Sequence, residues 1–242
     1  MQLSHDSKLK DVVLNHPATA VVLEKAGLDY CCGGKQTLGE ACMQAGMPPE
    51  ELLARLQEAA GADSPEKQNW AAAPLGALAS YIVEKHHGYV REALPRITAH
   101  LEKVAEKHGE RHPELFKIRQ DFDLVSREMT QHMQKEEMIL FPFIQQMSDA
   151  VESGAGLYAP FFGSVQQPVA MMMQEHDTAG GLVNEMNSLS GGYVAPADGC
   201  TTYELVYREL AEFDHDLRTH VHLENNILFP RAVELEQKLT YR

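Results

Sequence analysis

Long apolar runs are missing from this chain. No stretch approaches the roughly 18 consecutive apolar residues that a membrane-spanning helix needs. The first ten residues, Met1 to Lys10, carry no hydrophobic signal core. The expected setting is the cytoplasm, with no membrane partner. Cysteine is scarce: four among 242 residues do not make a disulfide scaffold. Positive charge is short as well, with 21 Lys and Arg against 35 Asp and Glu and a net charge of −14. Such a chain has no basic stripe to neutralise phosphates, which argues against nucleic acid as a partner. Two-residue alternation is nearly absent, so the expected class is all-α. The hydrophobic content of 44% allows a substantial core.

What the chain has in excess is histidine, twelve of them dispersed along its length. Two stretches are the same stretch written twice: His132 to Pro142 and His220 to Pro230 both read H-x-x-x-E-x-x-I-L-F-P. Residues i and i+4 lie about 40° apart on a helix, so each copy aims an imidazole and a carboxylate at one point. The proline is expected to kink or end the helix. His87 stands 45 residues before His132, and His176 stands 44 before His220. Each half thus reads as a helix with His, a connection, and a helix with His-x-x-x-Glu. Four such helices bring His87, His132, Glu136, His176, His220 and Glu224 together, a two-metal ligand set in the core of a four-helix bundle. The plainer alternative, amphipathic helices with core His and capping Glu, leaves buried carboxylates unpaired at high cost. Imidazole and carboxylate without thiolate suit iron, manganese or zinc.

The remaining histidines are assigned away from this point. Of the adjacent pair His86 and His87, only one can face the core of a regular helix, and His87 keeps the repeat. His222 faces elsewhere, and His100, His108, His112 and His215 are assigned to the surface or loops. Glu128, one turn before His132, and Glu175, beside His176, are candidates to support the ligands or to line an access path.

In chain order, residues 4–60 read as short helices. One covers Lys8 to Leu14, another runs from Pro17 to Lys25 and is closed by Gly27, and others start at Thr37 and at Pro48-Pro49. The resulting division is a small helical domain over 1–62, a linker over 63–73 and the bundle over 74–242. Long helices are expected from Pro74 to His108, Glu114 to Val151, Pro168 to Ser190 and Thr201 to Leu239. Cys31 and Cys32, next to Gly33-Gly34-Lys35, read as an exposed turn with reactive thiols suited to redox chemistry or iron transfer. Cys42 and Cys200 read as ordinary thiols.

Asp-Tyr-Cys-Cys-Gly-Gly, His-His-Gly-Tyr-Val-Arg-Glu-Ala-Leu-Pro, Glu-His-Asp and the repeated His-x-x-x-Glu-x-x-Ile-Leu-Phe-Pro stand in this order. In them the chain resembles the repair-of-iron-centres (RIC) family of hemerythrin-like di-iron proteins over nearly its whole length. The resemblance implies a hemerythrin-like four-helix bundle behind a small ScdA-type N-terminal domain. It implies two iron ions in an oxo- or hydroxo-bridged centre, with His87, His132, His176 and His220 as terminal ligands and Glu136 and Glu224 as bridges. The implied activity is repair of iron–sulfur clusters damaged by nitrosative or oxidative stress, by iron donation, with damaged or apo iron–sulfur proteins as partners. A di-iron nitric oxide reductase or peroxidase, and a sensor or binding protein for oxygen or nitric oxide, are the alternatives. A homodimer is left open.

Overall fold

The computed structural model describes residues 3–61 and 69–239. Four short helices come first: α1 (Leu9–Asn15), α2 (Ala20–Lys25, entered through a 3-10 turn at Pro17–Thr19), α3 (Leu38–Ala45) and α4 (Pro49–Gly61). Their boundaries follow local chemistry. The Thr37 hydroxyl accepts from the Glu40 backbone while the Glu40 carboxylate accepts from the Thr37 N–H, a reciprocal cap at the start of α3. Gly46 closes α3 at φ 66°, in the left-handed region where a Cβ would strain. Among the described residues there is no strand beyond one isolated bridge between Lys8 and Thr37.

The linker expected over 63–73 lies largely outside the described residues. Its last part is pinned: Trp70 packs on Tyr81 with ring centroids 4.5 Å apart, and Arg231 donates to the carbonyls of Trp70 and Ala73.

Seven α-helical segments build the bundle: α5 (Leu75–Ile82), α6 (Gly88–His108), α7 (Glu114–Lys135), α8 (Phe141–Ser153), α9 (Gln166–Leu189), α10 (Thr201–Leu223) and α11 (Phe229–Glu236). Three π-helical turns join them, Val83–His87 between α5 and α6, Glu136–Leu140 between α7 and α8, and Glu224–Leu228 between α10 and α11. The helices therefore run through the sites where a kink or an end was expected at Pro142 and Pro230. A proline offers no N–H, and here it falls at the start of the segment after the π-turn, where the ladder is already reset. The wider bonds run from the N–H of Phe141 to the Glu136 carbonyl and from the N–H of Phe229 to the Glu224 carbonyl.

Helix α7 packs on α6 and α9, and α10 packs on α6 and α9, which closes a four-membered ring. Its interior is two apolar blocks. One holds Val90, Ile97, Phe122, Val125, Met129, Val183, Phe213 and Leu217, and it continues without interruption into Leu9, Leu23, Tyr30, Leu38 and Leu56 of the N-terminal helices. The other holds Leu78, Ile82, Phe143, Ile144, Met172, Leu228 and Phe229. Between them lies one level of polar side chains, bounded by Ile82 and Val90, Met129 and Leu140, Met172 and Ala179, and Leu217 and Leu228.

The π-turn shifts the helix phase after Glu136, so Leu140 is buried and Ile139 is 38% exposed. Two expectations are corrected. His86 and His87 are both buried, because the π-turn that contains them departs from the regular helical phase. His108, expected at the surface, is buried with Nε2 3.2 Å from the Cys200 sulfur.

Candidate metal centre

The polar level between the two apolar blocks is made of the six residues singled out by the repeat. His87, His132, Glu136, His176, His220 and Glu224 are all between 0% and 1% exposed. Their ligand atoms form two overlapping sets, each within 4.8 Å: His87, Glu136, His220 and Glu224, and His132, Glu136, His176 and Glu224. The two carboxylates belong to both sets. The i, i+4 geometry holds, with His132 Nε2 3.2 Å from Glu136 Oε2 and His220 Nε2 2.9 Å from Glu224 Oε1.

The outer nitrogens decide the state of the inner ones. His87 Nδ1 lies 2.6 Å from Glu137 Oε1, and Arg91 also reaches that oxygen. His132 Nδ1 lies 2.8 Å from Glu175 Oε2, and Lys135 holds the other Glu175 oxygen. His176 Nδ1 lies 2.9 Å from the Asn225 side-chain oxygen. Each of these partners is an acceptor, so Nδ1 carries the proton and a neutral ring presents a bare lone pair at Nε2. Two of those lone pairs meet, with His132 Nε2 3.0 Å from His176 Nε2; His87 Nε2 is 3.2 Å from His220 Nε2, which also lies 2.9 Å from Glu224 Oε1. Both Glu136 oxygens and Glu224 Oε2 are buried without a hydrogen-bond donor. Lone pairs turned on one another in an apolar interior repel unless a cation stands among them. Two imidazoles bound about 2.1 Å from one ion at right angles place their nitrogens about 3 Å apart. The donor set and its spacing therefore fit metal ions.

The electrostatics point the same way. Burial opposes charge on His132, yet the Glu136 carboxylate 3.2 Å from its Nε2 and the bond to Glu175 push its pKa up to about 10. His87 is likewise raised against burial by Glu136. The bond to His132 holds Glu175 down at about 2. The buried carboxylates thus call for positive charge beside them.

Glu175 lies where a ligand support was expected. The two ring nitrogens of His132 face Glu136 and Glu175 rather than Glu128. The sequence reading missed Glu137 and Asn225. Each directly follows a bridging-position Glu in the repeat, and each backs the His on the preceding helix. It also missed Asp216, which lies 2.9 Å from His86 Nδ1 and holds that ring stacked at 5.5 Å over His220.

Two family models match the chain. Residues 78–232 match the hemerythrin HHE cation-binding domain, and residues 5–60 match ScdA_N, described as a domain of unknown function. An iron-sulfur cluster repair protein YtfE of Musicola paradisiaca is 36% identical over 231 residues, covering 96% of this chain and 98% of that protein. Proteins of the same name from Pectobacterium carotovorum and Citrobacter koseri are 36% and 33% identical, over 96% and 94% of this chain and 98% and 97% of those proteins. The chain belongs to the RIC family of hemerythrin-like proteins.

In this RIC-family chain the N-terminal helices place their cysteines beside the centre. A cavity of about 160 Å³ is lined by Asp29, Cys31, Cys32, His176, Gly180 and Arg218, among others. Asn225 bridges the two sides, accepting from His176 and directing its NH2 toward the Cys32 sulfur at 3.8 Å. Asn226 donates to the Cys31 carbonyl at 3.1 Å and fixes the turn on α10 and its π-turn. The expected exposed turn is corrected here: Cys31 is only 5% exposed and Cys32 is half-buried. Its hydrogen bond with Cys32, then burial, then Asp29 push the Cys31 thiol well above its ordinary pKa. Among the described residues no helix is long and apolar enough to cross a membrane.

Proposed function

We propose that this chain repairs damaged iron–sulfur clusters with a two-iron centre in its bundle. His87 and His220 serve one iron, His132 and His176 the other, and Glu136 and Glu224 bridge them. The observation that carries the reading is the pair of Nε2-to-Nε2 approaches at 3.0 and 3.2 Å around two buried carboxylates, both Glu136 oxygens and Glu224 Oε2 lacking a donor. An oxo- or hydroxo-bridged iron pair would supply redox-active, exchangeable iron at that level.

The chain's own residues set how firmly iron is held. Glu137, Glu175 and Asn225 keep Nδ1 of three histidines protonated, so that each Nε2 remains a donor to metal. Four imidazoles and two carboxylates contain no thiolate, so a site of sulfur ligands in a damaged cluster can compete for ferrous cargo. The cavity beside His176 carries Asp29, Asp177 and Asp214 against Arg218 alone, which favours passage of a cation toward Cys31 and Cys32. Damaged or apo iron–sulfur proteins are the acceptors, and nitric oxide and oxygen are the diatomic ligands expected at open positions.

The test is metal analysis with an optical spectrum, followed by anaerobic incubation with an apo iron–sulfur protein. Two irons per chain and recovery of acceptor activity, with matching loss of iron from the chain, are the expected results. Iron that stays in place while nitric oxide is consumed would make the chain a turnover enzyme instead.

A further inference from the structure

The turn that carries the two cysteines is shaped by Asp29. Its Oδ1 accepts the backbone N–H of Cys31 at 2.9 Å and that of Cys32 at 2.9 Å, and it also accepts the Cys31 thiol at 3.0 Å. Adjacent cysteines in extended chain point to opposite sides, and a pair so placed does not share a ligand. Here one carboxylate draws both residues around itself. A ligand atom from each of Asp29, Cys31 and Cys32 then lies within 4.8 Å of the others. The Cys31 proton sits between sulfur and carboxylate, which is where a cation bound by both would sit.

We propose that Asp29, Cys31 and Cys32 form a third metal site, a three-ligand station for a thiophilic divalent cation, ferrous iron in the cell. As a station for iron leaving the bundle it rests on the function proposed above; as a metal site it stands on its own geometry. One carboxylate oxygen and two sulfurs give a mixed hard and soft donor set that suits iron, zinc or cobalt, with the remaining positions left to water. Binding breaks two S–H bonds, forms two metal–sulfur bonds and releases two protons to solvent, with no change of oxidation state. Arg218 in the cavity wall favours the thiolates, while its bond to Asp214 at 2.5 Å offsets its repulsion of a cation. Three protein ligands without a fourth hold metal less firmly than the closed sites of structural zinc. That suits a point of passage between the His176 side of the cavity and an acceptor.

The experiment is an anaerobic cobalt(II) titration of the full chain in reduced form, followed by visible and near-ultraviolet absorption. The expected result is a thiolate-to-cobalt charge-transfer band that saturates at one equivalent beyond those taken by the bundle. C31S/C32S should abolish the band, and C32S alone, which keeps the Asp29 turn, should shift and weaken it. D29N should loosen this equivalent by at least about tenfold. Circular dichroism checks that each variant is folded. Glu136→Leu should lose the bundle equivalents and keep the thiolate band, so a bundle that binds no metal is seen separately from a failed third site. A wild-type protein with no thiolate band at saturation, a band that survives C31S/C32S, or an unchanged D29N affinity would each overturn the proposal.

Discussion

The two halves of the bundle repeat their inner residues and differ in the ring just outside. The residue after the shared Glu is Glu137 in the first half and Asn225 in the second, and both reach Nδ1 of the His on the preceding helix. The residue before that first His is His86 in one half and Glu175 in the other. Glu175 reaches Nδ1 of His132, whereas His86 pairs with Asp216 and leaves His220 Nδ1 buried without a partner. Both first-half histidines are thus backed by carboxylates, themselves tied to Arg91 and Lys135, and neither second-half histidine is. A carboxylate behind an imidazole raises its basicity and fixes its ring more firmly than an amide does. Repetition gives the centre its number of candidate ligands; departure from repetition gives those candidates unequal support.

The comparison breaks most completely at the shared carboxylates. Glu136→Leu or Glu224→Leu removes a ligand from both metal positions at once, so bound metal should fall from two ions to near none by elemental analysis. Full metal content in either variant would refute the assignment. The next effect sharpens the asymmetry. Glu137→Gln and Glu175→Gln should each weaken metal retention against a competing chelator by about 10- to 100-fold. Asn225→Asp, which puts a carboxylate behind His176 as the first half has behind its histidines, should tighten it. Equal behaviour of these three variants would mean that the outer ring does not grade the ligands.

The smallest effect lies away from the centre. His215 Nδ1 lies 2.9 Å from Glu24 Oε2, joining α2 to α10. The bond to Glu24 raises the His215 pKa above its ordinary 6.5. Burial opposes charge on Glu24, but His215 and Tyr30 hold it below 4.5. The His215 contribution is complete below about pH 6.5 and is lost as pH rises through its raised folded value. The Glu24 contribution is complete above about pH 4.5 and is lost as pH falls through its lowered value. Both act in full between these limits. His215 is half exposed, so screening keeps the pair within about 1 kcal/mol. Urea unfolding of His215→Gln should show a deficit of that size at pH 5.5 that shrinks at alkaline pH; a constant deficit would point to lost packing instead.

The six inner residues were legible because the i, i+4 rule and a repeat of about 45 residues are properties of sequence order. The helices were legible for the same reason, down to the start at Thr37. The π-turns were not. Ile-Leu-Phe-Pro reads as an α-helix about to break, and only the packed structure shows one wider turn absorbing the proline. The π-turn at Glu136–Leu140 also explains the exposure of Ile139, and the one at Val83–His87 the burial of both His86 and His87. The outer ring was half legible. Glu175 stands beside His176 in the chain, but Glu137 and Asn225 act across helices, and helix-to-helix distance is absent from a single sequence. The cysteine turn was misjudged because flanking glycines suggest exposure, whereas Asn226 and the apolar block decide its burial.

That apolar block has a thermodynamic consequence. The family matches end at residue 60 and resume at 78, as if two modules had been strung together. Physically, Leu9, Leu23, Tyr30 and Leu56 share one continuous interior with Ile97, Phe122 and Phe213. Lifting the N-terminal helices would expose that interior to water, so their amides should exchange with solvent at rates close to those of α6 and α10. The cysteines therefore travel with the bundle as one cooperative unit rather than as cargo on a tether.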